Sequence, residues 1–435
     1  MNRQAYPKYK PSGIEWLGEI PSHWEAKRLK YLSSVNDDVL PETTDSDFEL
    51  LYVDISSVDA DKGITTKEPM TFESAPSRAR RKVHHGDVIV STVRTYLRAI
   101  APVVNPEQNL IVSTGFAIVR PKNEMDSQFA AYALRAPYFV DAVVANSVGV
   151  SYPAINASEM MCLTIVIPSL HEQHAIATFL DRETMRIDAL VAKKQRQIEL
   201  LQEKRAALIS HAVTKGLDPN AKMKNSGIEW LGEIPEHWDI APLRGVLAER
   251  GEYNTGPKTT NILSVIKDVG VINYDEREAS GNKKSDDVEQ YKIIHKGDIV
   301  LNRMNVIIGS VGIAHESGAA SIEYYVLHAK NGSICTDYYG HIFCSRAFQT
   351  NLSRLGSGIL GHRQRIPFEI LRMERLPRPP YEEQCRISEY LDHERFVDDN
   401  LILNVHKSIR ILQEYRTSLI SAAVTGKIDV RKEVS

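Results

Sequence analysis

Two stretches of this chain, 176–211 and 387–422, contain no proline or glycine, and their apolar residues return every seven positions. In the first, Leu180, Ile187, Leu201 and Leu208 share one heptad position, with Lys194 as the exception, and Val191 and Ile198 share the other. In the second, Leu391, Val405, Leu412 and Leu419 are joined by Ile402 and Ile409. The pattern predicts one long helix in each stretch. A helix of ~36 residues spans about 54 Å. β-Branched residues at one seam position and Leu at the other favour two strands, so the two helices are expected to pair antiparallel as a coiled coil. About 140 residues of mixed character precede each helix. Short apolar runs recur there, Asp87 to Ser91 and Asp298 to Asn302, each entered through a glycine, Gly86 or Gly297. Gly-Asp before such a run predicts a turn into a buried strand. Helices are expected over Gln128 to Val144 and Tyr339 to Leu355. The fold class predicted is α+β, two globules each followed by a long helix.

The order repeats because the sequence does. Ser12-Gly-Ile-Glu-Trp-Leu-Gly-Glu-Ile-Pro-Ser-His-Trp24 returns 214 residues later as Ser226-Gly-Ile-Glu-Trp-Leu-Gly-Glu-Ile-Pro-Glu-His-Trp238, with one change. All four tryptophans lie in these copies: Trp16, Trp24, Trp230 and Trp238. The helices match at an offset of 211, from Glu172-Gln173 and Glu383-Gln384 to Ala212-Val-Thr214 and Ala423-Val-Thr425. Such a repeat makes each half one version of a single unit and predicts a pseudo-two-fold molecule that meets something two-fold, such as a duplex. The division expected is 1–168 for the first phrase and globule, 169–213 for the first helix, 214–378 for a linker, the second phrase and globule, 379–424 for the second helix, and 425–435 for a tail.

The repeated Trp phrase, the Gly-Asp strands and the Pro-x-x-x-Glu-Gln helix openings (Pro168 to Gln173; Pro379 to Gln384) together resemble the specificity subunit of a type I restriction–modification system, over essentially the whole chain. The resemblance implies that each globule is a target recognition domain reading half of a split DNA site. It implies that the helices set the gap and that two modification (methyltransferase) subunits dock on the shared regions, where Trp16, Trp24, Trp230 and Trp238 are the candidate contacts. S-adenosylmethionine, ATP and Mg would then belong to partner modification and restriction subunits, with no cofactor in this chain and a cytoplasmic location.

Composition agrees with a globular protein: 43% hydrophobic and 25% charged residues, with no apolar run near the ~18 residues of a membrane helix. Residues 1–10 have no apolar core of a signal peptide. Four cysteines, Cys162, Cys335, Cys344 and Cys385, lack ligand spacing and read as free thiols. The net charge of −3 leaves DNA contact to local patches.

Enzyme motifs do not survive inspection. Gly356-Ser-Gly-Ile-Leu-Gly361 follows an expected helix, where a dinucleotide loop must follow a strand. Arg378-Pro-Pro-Tyr381 lacks the oxygen that an amino-methyltransferase sets against its flipped base, because arginine only donates. No metal set or Ser/His/Asp order is discernible. A stand-alone methyltransferase or nuclease is therefore disfavoured, and a coiled-coil scaffold without DNA leaves the arginine-rich loops unexplained.

Those loops supply the candidate DNA contacts, since Lys and Arg hold phosphates while Arg, Asn, Gln and Ser reach base edges. The first globule offers Arg78, Arg80, Arg81 and Lys82. It adds Arg94, Tyr96 and Arg98 after its Gly-Asp strand, and Ser147, Ser151 and Tyr152 after its helix. The second offers Lys283 and Lys284, then Asn302, Arg303 and Asn305 after its strand, and Ser357, His362, Arg363, Gln364 and Arg365 after its helix.

Overall fold

The heptad stretches form helices Leu170–Lys215 and Tyr381–Val424. Both are longer than the seam alone requires. Each begins just after proline, Pro168 or Pro379-Pro380, where a missing N–H costs nothing, and each places acids in its first turn, Glu172 or Glu382 and Glu383, which suit the positive end of the helix dipole. A computed structural model describes residues 4–14, 17–60, 62–256, 258–277, 287–304, 306–356 and 365–433.

The chain divides into two compact units that do not follow chain order: 1–194 with 407–435, and 195–406. Each unit therefore holds the start of one long helix and the end of the other. In the first, Asp188 pairs with Arg416 at 3.0 Å, and Ile176, Leu180 and Ile187 share a core with Leu419, Ile420 and Ala423. In the second, Arg205 pairs with Asp399, the same pair as Asp188–Arg416 shifted by the 211 offset with the helices exchanged, and Lys204 reaches Glu394 and Asp398. Asp398 stands in the heptad seam between Leu391 and Val405 and is 1% exposed, so its pairing with Lys204 offsets a costly burial.

Both units carry the same four-stranded antiparallel sheet. In the first, Ser33–Val35, Phe116–Pro121, Val88–Ser91 and Ile100–Pro102 lie side by side in that order. In the second the order is Leu247–Glu249, Tyr324–Ala329, Ile299–Asn302 and Val311–Ile313. The Gly-Asp strands sit at matching interior places. Gly86 and Gly297 turn at φ +88° and +91°, a region costly for a side chain with Cβ. The following Asp87 and Asp298 accept from the backbone N–H of His84 and His295, each at 2.8 Å. A bidentate arginine neutralises each buried carboxylate, Arg120 on Asp87 and Arg250 on Asp298.

What differs is added around this frame. The first unit has a further sheet in the order Glu68–Thr71, Glu49–Val53, Leu110–Ser113, Ala79–Lys82, whose middle pair is parallel. The second has two separate strand pairs, Leu263–Ile266 with Gly270–Asn273 and Lys292–Ile294 with Gly318–Ala320.

The single helices expected before each long helix are each two. Ser127–Ala133 stops before Pro137, whose ring pushes Ala136 into extended backbone, and Pro137–Ala145 starts afresh. In the second unit Thr336–Cys344 gives way at Ser345, whose hydroxyl caps Arg346–Leu352 by accepting from Phe348 N–H.

Each tryptophan phrase ends in a fully buried tryptophan. In both, a short strand pair (Tyr9–Pro11 with Glu19–Pro21; Met223–Asn225 with Glu233–Pro235) closes a turn held by Ser12 or Ser226. Trp24 and Trp238 are 0% exposed, each at the centre of its unit's largest core, so they are not the docking contacts expected of them. Trp230 is half-buried against Phe348, with ring centres 5.0 Å apart. The histidine before each buried tryptophan meets the glutamate of the helix opening: His23 with Glu172 at 2.9 Å, and His237 with Glu383 at 2.8 Å. The adjoining glutamines bridge the same helix start to the globule. Gln173 accepts from Asp126 N–H and donates to Pro168, and Gln384 accepts from Cys335 N–H and donates to Pro379.

Candidate nucleic-acid interface

The loops after the Gly-Asp strand and after the helix pair are far apart in sequence and adjacent in the fold. In the first unit Val93 and Ala154 form a backbone bridge, and Ile155 N–H donates to Thr92 at 2.9 Å. The hydroxyls of Thr95 and Ser147 lie 2.8 Å apart. The Arg94 guanidinium stacks on the Tyr152 ring at 5.0 Å, a favourable cation–π pairing. Arg94 and Arg98 flank the turn Thr95–Leu97, both with left-handed backbone at φ +51° and +52°. Arginine rarely adopts that conformation, and strain of this kind gathers at functional sites. Tyr96 and Tyr152 are exposed, as is Ser151, whereas Arg98 is tied to Asp141 at 3.0 Å.

The second unit brings its two loops together at the corresponding place. Ile366 N–H donates to the carbonyl of Arg303, and Tyr325 Oη donates to the carbonyl of Ile366 at 2.9 Å. Asn302 caps the turn by accepting from Met304 N–H at 3.0 Å. Arg303 is largely buried in an ion pair with Glu323, which engages its Nε and Nη2. Arg365 is exposed beside this junction. Lys283, Lys284, Asn305, Ser357, His362, Arg363, Gln364 and, in the first phrase, Trp16 lie outside the described residues.

The cationic cluster 78–82 is dispersed by strand geometry. Ala79–Lys82 is a strand, so successive side chains leave on opposite faces. Arg78 donates to Asp54 at 2.9 Å and to Tyr52 Oη at 3.1 Å, and that phenol contact raises its guanidinium further above the usual range. Arg80 covers the Phe72 ring at 4.5 Å. Arg81 is half-buried on the side of Ala79, and desolvation lowers its pKa. Lys82 lies half-buried at the strand's end. Four charges adjacent in sequence thus do not make one phosphate clamp.

Sequence reasoning passed over the apolar residues of the first unit's loops. Leu97, Val148 and Val150 are exposed there, and Val150 is 102% exposed. No periodic signal marks them, because an exposed valine in a loop carries no pattern. Among the described residues, no cluster of three or more His, Cys, Asp or Glu is placed to hold a metal ion. No described helix is long and apolar enough to cross a membrane.

Paired loops recur on the duplicated frame, and comparison with known proteins gives the family. The model of the type I restriction modification DNA specificity domain matches residues 59–200 and 235–411, and the chain belongs to that family. It is 26% identical to the type I restriction enzyme MjaVIII specificity subunit of Methanocaldococcus jannaschii, over 74% of this chain and 75% of that one. It is 23% identical to the type I restriction enzyme EcoBI specificity subunit of Escherichia coli, over 71% and 67%. Its fold matches a chain solved in work on complex assembly and conformational transition of the type I R-M system, with TM-score 0.70, 20% identity and coverage of 94% and 99%. It also matches the HsdS subunit of Thermoanaerobacter tengcongensis, with TM-score 0.52, 19% identity and coverage of 94% and 98%. The resemblance drawn from the repeated phrase is thereby confirmed, and the role of this chain is DNA recognition within a type I restriction–modification system.

Proposed function

We propose that each unit reads one half of a split duplex site through its paired loops, and that the chain works as a reader without a catalyst of its own. The observation that carries this reading is the repeated junction: Ile155 N–H to the Thr92 carbonyl in one unit and Ile366 N–H to the Arg303 carbonyl in the other join the same two loops, which carry different side chains. One frame with two chemistries suits two half-sites of different sequence. The long helices act as an antiparallel coiled coil that sets the spacer, supported by the pairs Asp188–Arg416 and Arg205–Asp399 in their respective units. Met185, Phe396, Leu403 and Ile411 on these helices are large, apolar and exposed, as suits docking of two modification subunits. Those partners would bring S-adenosylmethionine, and restriction subunits would bring ATP and Mg, in the cytoplasm.

The test is binding of the chain, assembled with its modification subunits, to a panel of half-site variants. Arg94→Ala should cost about 1–3 kcal/mol and relax preference in one half-site only. Uniform weakening across all variants would make Arg94 a phosphate contact and overturn its place in the reading head.

A further inference from the structure

We propose that the paired loops of the first unit recognise thymine by its 5-methyl group, with Val148 and Val150 as the contacting side chains. This rests on the reading that each unit binds half of a DNA site.

Four observations lead there. First, the loop is held in shape. Val148 N–H donates to Ala154 at 2.8 Å and Ala154 N–H returns a bond to Val148 at 3.0 Å, while the Val93–Ala154 bridge and the Thr95–Ser147 hydroxyl contact fix its base. A valine presented this way does not collapse onto the globule. Second, the fold has no use for these side chains: Val148 is 79% and Val150 is 102% exposed. Third, the segments 92–98 and 146–154 contain no acidic residue, and with Arg98 paired to Asp141 their cation is Arg94, stacked on Tyr152 in the same loop as the valines. An apolar tip beside a cation suits an occupant that is anionic overall yet offers a small apolar group. In the major groove of DNA that group is the thymine methyl, the only apolar feature on the base edges there. Fourth, the side chains at the tip argue against a wedge between base pairs. Such wedges use Phe, Leu, Ile, Met or Pro, whereas the tip itself carries only the short Val148 and Val150, and Tyr152 next to them has a ring face occupied by Arg94.

The experiment replaces thymine by deoxyuridine, which removes the methyl and keeps every hydrogen-bonding group. Duplexes carrying the modified site found by methylome sequencing are prepared with deoxyuridine in one half-site at a time. Each is bound to the chain assembled with its modification subunits. The expected result is about fourfold weaker binding per contacted thymine in one half-site, the worth of one buried methyl group, and no change in the other. The double variant Val148→Ser, Val150→Ser should bind thymine and deoxyuridine duplexes alike. Both positions are exposed, so the fold is not at stake.

Three outcomes sink the inference while leaving DNA reading intact: indifference to deoxyuridine in both half-sites with the split-site preference kept, equal discrimination in the double variant, or a first half-site without thymine. Loss of any split-site preference in the unmodified complex would instead remove the reading on which the inference rests.

Discussion

In the second unit the helix end at Lys215 runs through Gly216 into the strand Met223–Asn225 and on to Trp238, so backbone joins the helix to the tryptophan phrase. In the first unit the same neighbourhood is assembled from the two ends of the chain. Asp429 N–H donates to Gln4 at 2.8 Å, Lys427 Nζ donates to the carbonyls of Leu17 and Glu19, and Tyr9 Oη donates to the carbonyl of Gly426. Arg431 lies over the Tyr6 ring at 5.0 Å, and Tyr6 donates to Glu172 at 2.6 Å. The glycine ending each helix shows how alike the sites are. A Cβ on Gly426 would come within 2.3 Å of Pro21, and one on Gly216 within 3.2 Å of Trp238. A handful of hydrogen bonds therefore does at one end of the repeat what covalent continuity does at the other.

The sharpest way to break this comparison is to remove the tryptophan that both closures surround. Trp24→Ala and Trp238→Ala should each destabilise their unit by about 3–5 kcal/mol, as large core deletions do. Because both are fully buried in equivalent cores, the two losses should agree within about 1 kcal/mol. Denaturant unfolding of each variant, with hydrogen exchange to assign the unit, measures this. A tolerated change at either position would mean that the two phrases are alike in sequence and unlike in energetics.

The second break separates the closures. Deleting residues 426–435 removes the fully buried Val430 and the clasp around Gln4, Tyr9 and Leu17. Burial of one Val at about 1.5–3 kcal/mol, with three hydrogen-bonded links at about 1 kcal/mol each, gives an expected loss of about 4–6 kcal/mol. Amide protection should fall over residues 4–24 and hold over 218–238, where the connection is covalent. Equal loss in both units would mean that the tail supports more than the first tryptophan phrase.

How much of this was legible beforehand depended on whether a residue's partner was local. The phrase, the Gly-Asp strands and the helix openings are recognisable because turns and helix starts demand particular residues at fixed places. The other strands of the matching sheets were not alignable, because a buried strand asks only for apolar residues: Phe116–Pro121 and Tyr324–Ala329 fill one place with different letters. The helix break at Pro137 had a local signal in the proline itself, whereas the break at Ser345 depended on a cap that reads like any serine. Among candidate contacts, Arg78 and Arg303 read as free cations because Asp54 and Glu323 sit 24 and 20 residues away in sequence. The loop pairing was legible as two matching offsets, but the bridge from Val93 to Ala154 is a tertiary fact.

The smallest expected difference concerns the histidines before the Gly-Asp turns. His84 pairs with Asp38 and His295 with Glu252, yet the two acids are held by different groups. The Asp38 carboxyl is lowered first by Arg120 and then by His84. The Glu252 carboxyl is pulled down to about 2 from 4.5, first by His295 and then by Lys258. A carboxyl whose folded pKa lies below its unfolded one stabilises the fold above the unfolded value and loses that contribution as pH falls through the folded value. For Glu252 the window is therefore from about 4.5 down to about 2. Solvent screens a group as exposed as Glu252, so the effect should be a modest slope rather than a transition. Over that window the second unit's unfolding midpoint should fall less steeply in Glu252→Gln than in the unaltered chain. In Lys258→Met it should fall by an intermediate amount, since His295, which lowers the carboxyl most, remains. Identical slopes in all three proteins would show that the His295–Glu252 contact contributes nothing to the fold, leaving the Arg250–Asp298 pair to hold the turn.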